Sequence, residues 1–252
     1  PVQSCGKEHV SCLHTSFLVQ QAVTMNLNNG RSVHGLLLDT RKAFDALWIL
    51  GMLYKLYLEK INPKVWLMVY DAYKNFMCTA YVNGIAGPWF IPQRGVHQGA
   101  PLSMILYTVL NNNLLKDLCN YRNGICVRNL MLSSPVHADD VTLLTTYKTG
   151  LNDMLQIAKN YGRKWRYSFN NDKTVYMCWG EDPYPHIQIT FDEEVLLSER
   201  EGKHMGVTLT TDKKLVTEIC QRRIGKGKYP ILAGLGLGGA HVRTSPSTRA
   251  KI

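Results

Sequence analysis

The sequence predicts an α+β fold in which an antiparallel sheet is backed by helices, and three observations carry that expectation. The apolar run Val33-His34-Gly35-Leu36-Leu37-Leu38 stops abruptly at Asp39, the pattern of a buried strand that delivers an acidic residue at its C-terminal end. Hairpin signals recur, among them Asn83-Gly84, a pair that accepts the positive φ of a type I′ turn. Between the strands lie stretches in which apolar residues return every three or four positions, as on one face of a helix.

Taken in order, residues 14–27 carry Phe17, Leu18, Ala22 and Met25 at helical spacing, with Asn28-Asn29-Gly30 as a stop. After the first strand a helix is expected over 42–60, from Ala43, Leu47, Leu50, Leu53 and Leu56, closed by Asn62-Pro63. A second helix is expected over 64–75. Residues 79–82 should then pair through Asn83-Gly84 with a returning strand at 89–91. Residues 92–100 are loop-like, and Pro101, suited to a first helical turn, opens a helix to about Lys116.

Residues 125–127 and 130–132 read as short strands. Residues 136–144 read as a hairpin whose two apolar arms hold Asp139 and Asp140 near the tip. Helical spacing returns over 151–165, followed by strands at 175–179, 187–191 and 205–209 and a basic helix over 215–226. The tail from Gly234 is rich in Gly, Ser and Thr, a composition expected to be poorly ordered.

Composition narrows the function class. Lys and Arg number 29 against 19 Asp and Glu, and the net charge of +10 favours a polyanionic partner such as nucleic acid. The seven cysteines are scattered without a Cys-x-x-Cys pair, so neither a disulfide framework nor a zinc module is expected, and the chain reads as intracellular. No apolar run approaches the roughly 20 residues that span a bilayer. The first residue is Pro1 rather than Met and the last stretch stops in mid-pattern, which reads as a fragment.

Asp39, Asp139 and Asp140 stand at the ends of apolar strands, where burial ordinarily excludes charge. If the hairpin pairs beside the first strand, the carboxylates meet. Two carboxylates about 4 Å apart repel by roughly 4 kcal/mol at an effective dielectric of 20, so such a cluster needs shared protons or bound cations. All-oxygen ligands prefer hard ions, Mg²⁺ or Mn²⁺. Two such ions roughly 3.5–4 Å apart suit phosphoryl transfer. The bland alternative is that Asp139-Asp140 makes an exposed turn and Asp39 caps the following helix.

Leu36-Leu37-Leu38-Asp39-Thr40-Arg41-Lys42-Ala43-Phe44-Asp45-Ala46-Leu47-Trp48 resembles motif A of the reverse transcriptases of non-LTR retrotransposons. Arg94-Gly95-Val96-His97-Gln98-Gly99-Ala100-Pro101-Leu102-Ser103 resembles motif B, and His137-Ala138-Asp139-Asp140 resembles motif C. Lys164-Trp165-Arg166-Tyr167-Ser168-Phe169-Asn170-Asn171-Asp172-Lys173-Thr174 is similar to motif D, and His204-Met205-Gly206-Val207 to motif E. The order and spacing are those of the family, and the likeness looks closest to its jockey- and CR1-like members.

The resemblance implies a polymerase palm over 33–211, with 49–93 partly fingers, a fingers remnant in 1–32 and the start of a thumb in 212–252. It implies RNA-templated extension of a DNA primer by deoxynucleoside triphosphates, with two Mg²⁺ or Mn²⁺ ions. Asp39 and Asp139 would hold the metals, Asp140 would complete the carboxylate set, and the Thr40 carbonyl would add a ligand. Phe44 would lie under the sugar of the incoming nucleotide and exclude a 2′-hydroxyl. The backbone of Lys42 and Ala43, at a helix start, would lie along the triphosphate, with Arg41 adding charge. Gln98 and Gly99 would sit beside the incoming nucleotide and Arg94 near the template. Lys173 would protonate departing pyrophosphate, and Met205 and Gly206 would grip the primer. Localisation would be nuclear and cytoplasmic. Two other readings stay open here: a remnant that binds nucleic acid without catalysis, and another palm enzyme such as a nucleotide cyclase.

Overall fold

The computed structural model describes residues 12–97, 99–127, 130–180, 188–204 and 206–212. The chain divides into two compact units, Pro1–Thr211 and Asp212–Ile252. The expected basic helix over 215–226 and the Gly-rich tail lie outside the described residues.

The centre is a four-stranded antiparallel sheet. Its strands are β1 (Val33–Leu38), β6 (Val136–His137), β7 (Asp140–Thr145) and β8 (Val175–Trp179), in the order β6-β7-β1-β8. Every residue of β1 is buried. This follows from its position in the middle of a sheet covered on both sides, since alternate side chains of a strand point to opposite faces. Leu36 and Leu38 enter one apolar cluster with Val141, Leu143, Tyr176 and Cys178. Val33 and Leu37 enter the other with Leu144, Met177 and Trp179.

The first cluster is closed by three helices: α3 (Ile49–Leu58), α5 (Pro101–Asn120) and α6 (Lys148–Trp165). Each supplies fully buried residues, Met52, Leu110, Leu114, Met154 and Ala158 among them. Burying one leucine-sized side chain contributes about 1.5–3 kcal/mol, so this layer supplies much of what holds the sheet in place. The second face is covered by α1 (Cys12–Asn28) and the hairpin of β4 (Ile125–Val127) and β5 (Leu130–Leu132). Helix α4 (Pro63–Lys74) packs on α3 behind an Asn62 side chain that accepts from the Lys64 N–H.

Two expectations need correction. The helix expected over 42–60 is broken into α2 (Ala43–Ala46) and α3, with Leu47 and Trp48 extended between them. The cause is tertiary: the carbonyls of Phe44 and Leu47 accept from the N–H groups of Val96 and Gly95, at 2.9 and 2.8 Å, instead of bonding along a helix. The hairpin turn at Asn83-Gly84 is present, with φ of 51° and 81°. Its paired strands, however, are β2 (Tyr81–Val82) and β3 (Ile85–Ala86). A two-residue loop forces the chain to return at once. Of the return expected at 89–91, Phe90 alone makes a bridge, to Cys78.

The remaining strands form two hairpins. One joins β9 (Gln188–Phe191) to β10 (Glu194–Leu197), which the sequence reading did not anticipate. The other joins β11 (Glu201–His204) to β12 (Val207–Thr210).

Candidate active site

Strand register brings the acidic residues together. Leu38 pairs with Val141, so Asp39 and Asp140 lie one step further along, facing each other at the ends of adjacent strands. Neighbouring strands run about 4.8 Å apart, which sets the scale of that approach. On its other side β7 pairs with β6, His137 against Asp140, leaving Ala138 and Asp139 as a two-residue turn. Ala138 holds φ at 58°, a region in which a side chain costs about 1–2 kcal/mol. The strained turn carries Asp139, and the Thr40 hydroxyl donates to the Asp139 carbonyl at 3.4 Å, tying motif A to motif C.

The electrostatics match the geometry. The Asp140 carboxyl is pushed up to about 6 by burial first, then by the charges of Asp139 and Asp39, while Lys203 pulls the other way. Lys203 lies on β11, whose Gly202 packs against Leu37 and Met177 of the sheet. Sequence reasoning missed Lys203. Its signal was only its place immediately before motif E.

The segment after α6 closes the other side. The Asp39 carbonyl accepts from Asn170 N–H at 2.8 Å, Arg41 N–H donates to Ser168, and Thr40 bridges Phe169. Lys173 follows in a single 3₁₀ turn, its ammonium 4.0 Å from Asp39 Oδ2. The Lys173 side chain is exposed and that of Asp39 partly so, so this ion pair contributes little to stability.

Asp39 does not cap the helix after it, since the residue preceding α2 is Lys42, in the left-handed region with φ 48°. This removes the bland reading of Asp39. Lys42 and Ala43 do stand at a helix start, as expected, although a four-residue helix carries only a small dipole. Phe44 is half-buried, its ring 5.4 Å from Tyr107 of α5. Arg41 is exposed. Arg94 is exposed and bridges Trp48, whose ring also carries the Arg166 guanidinium at 4.0 Å. Gly99 is exposed with φ 86°, so the turn before α5 asks for glycine on conformational grounds. Gly206 is exposed, with φ 75°. Gln98 and Met205 lie outside the described residues.

Among the described residues, no three His, Cys, Asp or Glu side chains stand close enough together to form a ready-made metal cage. The cage expected from Asp39, Asp139 and Asp140 is therefore not closed by protein atoms alone. Mg²⁺ has the matching habit: it keeps several waters and is held by one or two carboxylates together with substrate phosphates. The oxygen-only donors and the raised Asp140 carboxyl suit such a hard cation, which would relieve their repulsion. Among the described residues no helix is long and apolar enough to cross a membrane.

Comparison with known proteins bears on the family and the fold. A retrotransposable element R2 polyprotein of Nasonia vitripennis is 30% identical over 119 residues, 47% of this chain and 12% of its own. The RNA-directed DNA polymerase of the mobile element jockey from Drosophila melanogaster is 24% identical over 75% of this chain and 20% of its own. The chain thus spans about an eighth to a fifth of the length of these relatives. Among solved structures, apo telomerase from Candida tropicalis superposes with a TM-score of 0.55 at 13% identity, over 81% of this chain and 37% of that one. Another structure of that telomerase, in complex with a fragment of telomeric RNA, gives a TM-score of 0.52 at 13% identity, over 78% and 33%. Those likenesses speak for the fold. The family described as reverse transcriptase (RNA-dependent DNA polymerase) matches residues 2–209, which is most of the chain, and the chain belongs to that family.

Proposed function

We propose that this domain extends a DNA primer by deoxynucleoside triphosphates on an RNA template. The observation that carries the reading is the arrival of Asp39 and Asp140 at the ends of adjacent strands with Asp139 on the turn beside them, near enough that Asp139 and Asp39 raise the affinity of Asp140 for a proton. In the reaction the primer 3′-oxygen attacks the α-phosphorus of the nucleotide. The bond to the β-phosphate breaks and pyrophosphate leaves. Two Mg²⁺ or Mn²⁺ ions, held by Asp39 and Asp139 with Asp140 and the Thr40 carbonyl completing the set, would supply charge neutralisation at the phosphates.

The chain's own residues do the rest. Lys173 beside Asp39 has the reach to protonate the leaving pyrophosphate. Phe44, backed by Tyr107, offers a ring for the sugar of the incoming nucleotide. Arg41 and the backbone of Lys42 and Ala43 line the way to the triphosphate. Gln98 and Gly99 flank the nascent pair, Arg94 meets the template, and Met205 and Gly206 hold the primer end. A basic chain with net charge +10 suits these polyanions, and its binding should weaken with salt. A protein acting on such templates would work inside the cell, in nucleus and cytoplasm.

Primer extension on an RNA template with Mg²⁺ or Mn²⁺ tests the reading, with Asp139→Asn as control. A product that needs both the metal and Asp139 supports it. Folded protein that binds the hybrid but yields no metal-dependent product would replace it with the reading of a catalytically silent, nucleic-acid-binding remnant.

A further inference from the structure

We propose that Tyr107, steered by Asn111, is a positioning residue for the candidate carboxylates, its hydroxyl holding Thr40 and through it the Asp139 turn while its ring supports Phe44. The proposal rests on the polymerase reading of this same site and adds residues that none of the motif assignments includes.

Tyr107 and Asn111 stand four residues apart on α5, one turn along the same face. Each is 1% exposed. Tyr107 meets the site twice. Its ring lies 5.4 Å from that of Phe44, tilted by 37°. Its hydroxyl is faced by the Thr40 side chain and the Asn111 amide, and feels the charges of Asp139 and Asp140.

Neither the Tyr107 oxygen nor either polar atom of the Asn111 side chain completes a hydrogen bond, although all are buried. Buried polar groups without a formed partner are costly and uncommon, and phenylalanine and leucine would fill the same space without that cost. Donors and acceptors nonetheless run in one direction. The Thr40 hydroxyl spends its hydrogen on the Asp139 carbonyl, so its oxygen is available to accept from Tyr107. The Tyr107 oxygen in turn has a lone pair for the Asn111 N–H. The bond from the Thr40 hydroxyl to the Asp139 carbonyl, at 3.4 Å, is long. Hydrogen bonds that serve chemistry are often long before substrate arrives and shorten in the complex. The relay from Asn111 through Tyr107 and Thr40 to Asp139 has that character, and it joins α5, which begins at the motif B turn, to the strained turn of motif C.

Tyr107→Phe removes the hydroxyl and keeps the ring. The expected result is a thermal midpoint equal to or above wild type, kcat for primer extension lowered about tenfold and KM for the nucleotide within about twofold. Amide hydrogen exchange at Asp139 and Asp140 in metal-free protein should quicken about tenfold. Asn111→Leu should act in the same direction, and the double variant should be no worse than Tyr107→Phe, as members of one chain of contacts behave. Tyr107→Leu, which also removes the ring, should in addition admit ribonucleotides several-fold more readily. Wild-type kcat together with wild-type exchange in Tyr107→Phe would overturn the proposal. So would a loss of kcat matched by a fall in thermal midpoint with exchange at the turn unchanged. A wild-type chain without primer extension would remove the polymerase reading instead, and the exchange measurement would still decide the link between Tyr107 and the turn.

Discussion

Replacing Asp140 with asparagine should stabilise the metal-free domain at neutral pH while harming synthesis. The structure sets the size of the effect. The Asp140 carboxyl is raised from 3.8 to about 6, by burial first and then by Asp139 and Asp39. A shift of roughly two pH units corresponds to about 3 kcal/mol of preference for the protonated form. Asp140 is only half-buried, and solvent screening reduces this to about 1–2 kcal/mol. The sign follows from linkage. The folded state holds this proton more tightly than the unfolded chain, so the wild type gains stability as pH falls from about 6 towards 4 and loses it as pH rises through 6. Asp140→Asn has no such proton to lose. With metal removed by a chelator, the variant should melt a few degrees above wild type at pH 7, and the two should converge near pH 4. Adding Mg²⁺ or Mn²⁺ at pH 7 should raise the wild type more than the variant, because a cation that binds the folded carboxylates stabilises only the protein that has them all. A melting difference that stayed constant from pH 7 to pH 4 would refute the claim that the three carboxylates share one field.

Three further outcomes follow from other parts of the fold. Lys55 is 1% exposed, its ammonium donating to the Tyr161 hydroxyl at 2.8 Å and lying 4.2 Å over the Trp165 ring, and burial lowers it to about 8. Lys55→Met should therefore stabilise the domain by about 1–2 kcal/mol at pH 7, with the gain shrinking as pH rises from about 8 to 10.5, read by thermal unfolding across that range. Ala138→Gly should relieve the positive φ of the hairpin turn and raise stability by about 0.5–1 kcal/mol in denaturant titration. Gly35→Ala places a methyl group 2.7 Å from the Trp179 ring in the middle of the sheet and should cost about 1–3 kcal/mol, measured the same way.

Much of the site was legible along the chain because its signals are local. An apolar run that ends in aspartate, an acidic turn between apolar arms and a Gln-Gly before a proline-led helix each depend on neighbours a few residues away. The motifs therefore stood in order before any contact was known, and strand β1 over Val33–Leu38 came out with the expected ends. The break at Leu47 and Trp48 was not legible, because the helical spacing of 42–60 continues through it. Gly95 and Val96, about fifty residues downstream, take the carbonyls that would have continued the helix. Tyr107 gave no signal for the same reason, since an aromatic residue at helical spacing reads as core, which it also is.

By itself the sequence determined the family and the antiparallel α+β plan and singled out Asp39, Asp139 and Asp140 as candidates, because periodicity, turn chemistry and motif order are properties of short segments. Only the tertiary structure decided that Asp139 sits on a strained two-residue turn, that Lys203 and Lys173 flank the acidic group from two different elements, and that Asp140 holds its proton up to about 6. Those depend on distance and burial between residues far apart in the chain, and electric fields and desolvation act through space.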